Sequence, residues 1–214
     1  TREINFSQSI PAGAGGGGTG TGTQRAIAGA SNWYVIYDAN NVGGSNFSQV
    51  TDGTEPGSPS SAWRLQFKAG NYTDGTSHGN VFTILSGNPT GLYGCYSIRY
   101  DPNFIWHPIS NKHLNLSVVG GLWIIQALEA PNMWLRVHNM ITDTLFTPSI
   151  NTAITLGVWH IIEFWIEQGS PGIIRVWVDG QLRTNVNGYN FSIGFQEFGL
   201  YGHRGGGGEN LVSD

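Results

Sequence analysis

The stretch from Gly157 to Arg183, GVWHIIEFWIEQGSPGIIRVWVDGQLR, constrains the fold more than any other part of the chain. Two runs of alternating β-branched and aromatic residues flank a Gly-Ser-Pro-Gly segment, which is the pattern of a β-hairpin. Setting Glu167 opposite Ile173 across a five-residue loop fixes the register. Ile162, Phe164 and Ile166 then share one apolar face with Ile174, Val176 and Val178. The opposite face carries Trp159, Glu163, Trp165 and Glu167 beside Arg175, Trp177 and Asp179. A slip of one residue would place Glu163 and Arg175 among the isoleucines, so the pairing is strongly specified. An apolar face of this kind needs a second sheet against it.

The remaining chain supplies that sheet. Strands are predicted over 33–37, 62–69, 81–85, 92–101, 111–119, 122–128, 133–139 and 195–201, separated by turn-forming Gly, Asn, Asp and Pro clusters. No segment carries a convincing helical period. Residues 1–10, TREINFSQSI, read as one more short strand, and 11–24, PAGAGGGGTGTGTQ, as a flexible linker, since so much glycine is entropically costly to order. A phosphate-cradling loop would need a following Gly-Lys-Ser/Thr and a βαβ setting, and neither is there. Residues 25–214 are then one β-sandwich domain, a size at which roughly 70% of the unfolded surface can be buried without disulfide staples. The single cysteine, Cys95, excludes an intrachain disulfide.

Composition narrows the setting. Charged residues are only 11% of the chain and glycine contributes 32 residues, a balance that suits an extracellular, cell-surface or virion protein. A net charge of −4 without any basic run argues against nucleic acid as a partner. No apolar stretch is long enough to predict a membrane span.

Four stretches carry a family resemblance: GVWH leading into the hairpin and RVWVDG, YSIRYDPNFIWHPISNKHLNL (96–116), WRLQFKAG (63–70) and FGLYGHRGGGG (198–208). The pattern resembles the concanavalin A-like lectin/glucanase superfamily, nearest to its laminin G-like and polysaccharide-lyase-like domains. The resemblance implies a jelly-roll sandwich of two antiparallel sheets and a concave sheet that binds glycans. It specifies activity poorly, because one superfold hosts lectins, hydrolases, lyases and structural modules. Such domains usually place a further strand after the Gly-rich loop. Either the domain continues past Asp214 or residues 1–10 fill that place, in their own domain or in a neighbour, which makes self-assembly through this segment a second functional expectation.

Strict alternation puts His113, Asn115 and Ser117 on one face of their strand, and Trp134, Arg136 and His138 on one face of theirs. Arg99, with Arg64 and Gln66, is expected to join them, and His107 lies in the adjoining loop. Such a floor suits a polysaccharide: sugar rings stack on aromatics, hydroxyls need fixed donors and acceptors, and Arg99 or Arg136 could pair a uronate carboxylate in bidentate fashion. An ordinary solvated sheet face explains the same polarity. Should the groove be catalytic, His113, His138, Arg136 and Asn115 are the residue types that a β-eliminating lyase uses. The acid pair needed by a glycoside hydrolase is missing, since Glu163 and Glu167 simply sit four apart on one strand. Trp159, Trp165 and Trp177 read first as an interface or a cross-strand brace, with Arg175 against Trp165, and second as a binding platform; His160 reads as a buried, hydrogen-bonded histidine. No zinc-like spacing occurs. Calcium is conceivable at Asp38, Asn40 and Asn41 or at Asp101 and Asn103, where Asx turns account equally well for the residues.

These observations lead to the expectation of a non-catalytic, extracellular polysaccharide-binding domain. A structural or decoration module of a virion, filament or surface layer is one alternative, and a uronate-polymer lyase is the other.

Overall fold

The computed structural model describes residues 25–26, 33–36, 47–51, 61–65, 77–106, 110–118, 122–129, 134–139, 144–146, 154–191 and 194–204. Within them are fourteen strands: β1 (Arg25–Ala26), β2 (Trp33–Ile36), β3 (Phe47–Thr51), β4 (Ser61–Leu65), β5 (Ser77–Ile84), β6 (Gly91–Ile98), β7 (Ser110–Val118), β8 (Leu122–Glu129), β9 (Trp134–Asn139), β10 (Thr144–Phe146), β11 (His160–Glu167), β12 (Gly169–Val178), β13 (Gln181–Phe191) and β14 (Phe195–Arg204). The proposed N-terminal strand (1–10) and linker (11–24) lie outside the described residues.

The hairpin has the register its apolar pattern demands, with Glu167 opposite Ile173 and Ile162 opposite Val178. Ile162, Phe164, Ile166, Ile174, Val176 and Val178 are all buried, each contributing about 1.5–3 kcal/mol by leaving water. The five residues 168–172 join Glu167 to Ile173 as expected, and within them Gly169 and Gly172 already pair with Phe191 and Tyr189 of β13. At the other end of β12 the chain turns through Asp179 and Gly180, both at positive φ (52° and 74°). That backbone gives a two-residue turn whose twist matches the flanking strands. His160 anchors this corner. Its Nδ1 lies 2.8 Å from Asp179 Oδ2, and its Nε2 accepts the Thr155 amide at 3.1 Å. The proton therefore sits on Nδ1, and both ring nitrogens are satisfied.

Strands β13-β12-β11-β6 make a four-stranded antiparallel sheet, and β1-β2-β5-β14-β7-β8-β9-β10 an eight-stranded one. The chain crosses from one sheet to the other at β5–β6, β6–β7, β10–β11 and β13–β14, and β14 returns between β5 and β7. Strands β3 and β4 pair with each other as a separate ribbon. One core lies between the two large sheets. Tyr96, Ile162, Phe164 and Ile174 from one side meet Leu114, Leu116, Leu135, Val137 and Phe195 from the other. Across this gap the Phe164 ring stacks on Phe198 at 6.0 Å with an interplanar angle of 16°. The ring also lies over Gly94, its cross-strand partner on β6.

One strand breaks its alternation. On β7, Lys112 pairs with Ala127 and Leu114 with Gln126, which leaves His113 as an extra residue in a β-bulge. The bulge turns His113 away from Asn115 and towards the opposite sheet. Its ring lies 5.9 Å from that of Tyr96, and its Nδ1 is 3.3 Å from the Tyr100 hydroxyl. The expectation that His113 shares a face with Asn115 is therefore corrected: strict period-2 counting fails where two residues oppose one. Burial drives the His113 pKa down to about 3, with a hydrogen bond to the Asn111 backbone as the smaller, opposing effect.

Two stability predictions follow from this packing. A Cβ on Gly94 would overlap the Phe164 ring, so Gly94→Ala should cost about 1–3 kcal/mol in denaturant unfolding. Gly91→Ala, with nothing within 4 Å of its Cβ, should be close to neutral, and Phe164→Leu should recover part of the Gly94→Ala loss. Equal effects of the two alanines would contradict the contact. The second concerns acid. Because folded His113 binds its proton only near pH 3 and the unfolded chain does so near an ordinary histidine value, the stability it contributes is complete above about pH 6.5. That stability is lost as pH falls towards 3, by at most about 1.4 kcal/mol per pH unit. His113→Gln should flatten the fall between those limits, and an unchanged pH profile would show that His113 is not neutral in the fold.

Candidate functional site

The face of the eight-stranded sheet turned away from the core carries the polar residues. Asn115 lies between Leu114 and Leu116, and Arg136 between Leu135 and Val137, all four of which are core residues. Alternation therefore points Asn115 and Arg136 outward. Yet they are only 7% and 8% exposed. Outward-facing side chains that are nine-tenths buried mark a recessed floor and not an open, solvated sheet face. Asn115 Oδ1 and Arg136 Nε are both buried without a hydrogen-bond partner among the described residues. Buried polar atoms are otherwise nearly always paired, so two such atoms on one floor are an unmet demand for a partner.

The backbone register lays out the rest of the floor. Asn115 pairs with Gly199 on one side and Ile125 on the other, and Ile125 in turn pairs with His138. The next row runs Lys112, Ala127, Arg136, and at the end of the same strands Glu129 pairs with Trp134. Asn115 and Arg136 are thus two strands apart, about 10 Å across and about 7 Å along the sheet. On the other side of the Asn115 row, Ser117 pairs with Trp123 and Glu197. Glu197 is half-buried, and burial raises its carboxyl pKa. It was not among the residues expected from the sequence. A bulge at Gln196, where Phe195 pairs with Val118 but Glu197 with Ser117, brings it onto this face beside Ser117.

Several expected members sit elsewhere. Arg99 follows β6 in the four-stranded sheet, and its guanidinium lies 5.3 Å from the Trp159 ring centroid, on the other side of the sandwich. The strand holding Arg99 was expected beside β7, but β6 pairs with β11. Arg64 is on β4, opposite Ser48 in the separate ribbon. Gln66 and His107 lie outside the described residues, as do Asp38, Asn40 and Asn41 of the first calcium candidate. At the second, Asp101 Oδ1 accepts the Asn103 amide at 2.8 Å, which is an Asx turn. Among the described residues no group of three or more His, Cys, Asp or Glu could hold a metal ion, and no helix is long and apolar enough to cross a membrane.

The three tryptophans of the hairpin region share the outer side of the four-stranded sheet. Trp165 is 37% exposed, while Trp159 and Trp177 are half-buried. Arg175, expected over Trp165, instead donates from Nε to Asn185 on the neighbouring strand at 3.3 Å.

No protein-family model matches this sequence, and no curated protein matches it. Solved structures do match in fold. The endo-β-1,4-glucuronan lyase of the fungus Trichoderma reesei superposes with a TM-score of 0.50 at 15% identity, covering 73% of this chain and 74% of the lyase. A mutant of alginate lyase Aly36B in complex with alginate trisaccharide gives a TM-score of 0.50 at 13% identity, covering 85% of this chain and 77% of that one. The sheet order, the single core between two antiparallel sheets and these superpositions establish a concanavalin A-like jelly roll.

Proposed function

We propose that this protein binds an acidic polysaccharide, without cleaving it, on the recessed floor of the eight-stranded sheet. The observation that carries the reading is the pair of unpartnered, nine-tenths-buried polar groups, Asn115 Oδ1 and Arg136 Nε, on one outward face. Arginine presents a fixed fork of donors that matches a carboxylate, and a buried guanidinium is stabilised most by an anion. A uronate residue brings that anion, and its hydroxyls can donate to the Asn115 oxygen. The row spacing lets one extended chain reach both groups. In the backbone register His138 lies in the Asn115 row, through Ile125 of β8, and Trp134 lies opposite Glu129 farther along β9. Two solved structures of the same fold carry polyuronates in their names, a glucuronan lyase and an alginate lyase holding alginate trisaccharide. Exposure to such polymers implies an extracellular or secretory setting.

Catalysis is the weaker reading because the lyase set loses a member: His113 is turned into the core against Tyr96 and Tyr100. Assembly through residues 1–10 rests on a segment outside the described residues, and no observation favours it.

Calorimetric titration with alginate and polyglucuronate oligosaccharides is the test. At least one should bind saturably, and Arg136→Met should weaken it by about tenfold or more, the loss of one charge-assisted pair. Arg136→Lys should recover little, since an ammonium cannot form the bidentate fork. Asn115→Ala should weaken binding by several-fold, while thermal unfolding of each variant reports that the fold is intact. Absence of binding to both polymers, or wild-type affinity in folded Arg136→Met, would remove the proposal. Growth of ultraviolet absorbance from unsaturated chain ends would overturn its non-catalytic part.

A further inference from the structure

The outer face of the four-stranded sheet has a different chemistry. Alternation places Trp165 between the buried Phe164 and Ile166, and Trp177 between the buried Val176 and Val178, so both indoles face away from the core. Tyr93 pairs directly with Trp165, and Leu182 pairs directly with Trp177. Trp165 pairs with Arg175, which makes Trp177 its diagonal neighbour two residues along β12. Tyr93, Trp165, Trp177 and Leu182 thus form one oblique line crossing β6, β11, β12 and β13 in turn. Three of the four are well exposed, at 55% for Tyr93, 37% for Trp165 and 38% for Leu182.

The rings are held by their edges. Tyr93 donates its hydroxyl to Glu163 Oε1 at 2.7 Å, and Trp165 donates Nε1 to Glu167 Oε2 at 3.3 Å. Such bonds restrain the side-chain torsions, so a ligand stacking on these rings has less entropy to remove. They also leave the second oxygen of each carboxylate available as an acceptor beside an aromatic face. The directly paired steps, Tyr93–Trp165 and Trp177–Leu182, are about 5 Å and the diagonal Trp165–Trp177 step is about 7–8 Å, so the line spans the length of several pyranose units.

We propose that this face is a second saccharide-binding surface, separate from the Arg136 floor, that takes an extended uncharged glycan chain along the Tyr93–Trp165–Trp177–Leu182 line. Sugar C–H faces stack on the aromatic rings, and hydroxyls donate to Glu163 and Glu167. The two carboxylates disfavour a polyanion here, and Arg175 is already engaged by Asn185. A second copy of the chain or another protein fits less well. Glu163 sits within the line, opposite Trp177 and bonded to Tyr93, and the buried centres of protein interfaces are depleted in such charges.

Tryptophan-fluorescence titration of the full chain with cellohexaose, laminarihexaose and mannohexaose tests this. At least one should shift the emission saturably, with unchanged affinity in the presence of excess alginate oligosaccharide. Trp165→Ala, a change at an exposed position, should weaken that binding by about tenfold, the scale of one lost aromatic stack with its buried area. Tyr93→Phe keeps the ring but frees its edge, and should weaken binding by a smaller factor. Three silent hexasaccharides would overturn the proposal, as would wild-type affinity in Trp165→Ala or competition by alginate. So would sedimentation showing a dimer that Trp165→Ala dissolves, because the face would then be an interface between copies.

Discussion

The contact on which this molecule depends is the Phe164 ring, held between Gly94 on its own sheet and Phe198 on the other. A glycine opposite a phenylalanine leaves room that a larger residue would fill, and the ring lies into it. The same ring then stacks across the gap between the sheets. Around it the isoleucines and valines of β11 and β12 meet the leucines of β7 and β9, with Val137 beside them. Interiors packed to crystal-like density transmit small changes in shape, so the position of this ring fixes how the two sheets face each other. The outward geometry of each sheet follows from that.

The two outward faces have been put to opposite physical uses. On the large sheet Asn115 and Arg136 are recessed, and each keeps a hydrogen-bonding atom without a partner among the described residues. On the small sheet the aromatics are exposed while their polar edges are tied to neighbouring glutamates. The first arrangement stores an unmet polar demand that an acidic ligand can satisfy. The second offers fixed apolar area ringed by acceptors. The ligands proposed for the two faces accordingly differ in charge.

Much of the fold was legible in the sequence because one hairpin carries an unambiguous alternation. The register of Ile162 to Ile166 against Ile174 to Val178 was readable from burial logic alone, and the two-sheet sandwich follows from it. β13 was not read. It is an edge strand, QLRTNVNGYNF, in which, among the described side chains, Thr184 is buried and Val186 packs against the core, so a full apolar alternation is not required. The Asp179–Gly180 turn was the available signal for it, since that dipeptide favours a two-residue hairpin. The candidate site was legible in part. Asn115 and Arg136 do share a face, as counting by twos suggests, but two bulges changed the membership. One at His113 removed an expected histidine, and one at Gln196 brought in Glu197. Bulges depend on how a partner strand pairs, which a period along a single strand does not contain. Arg99 was misplaced for a related reason, because strands near in sequence alternate between sheets here.

The most direct measurement is a side-chain-resolved nuclear magnetic resonance titration with an alginate oligosaccharide, following the Asn115 amide and the Arg136 guanidinium. Both signals should shift together with one dissociation constant, and the indole signals of Trp165 and Trp177 should stay in place. Shifts confined to the tryptophans, with Asn115 and Arg136 unmoved, would contradict the assignment of the recessed floor as the acidic-glycan site.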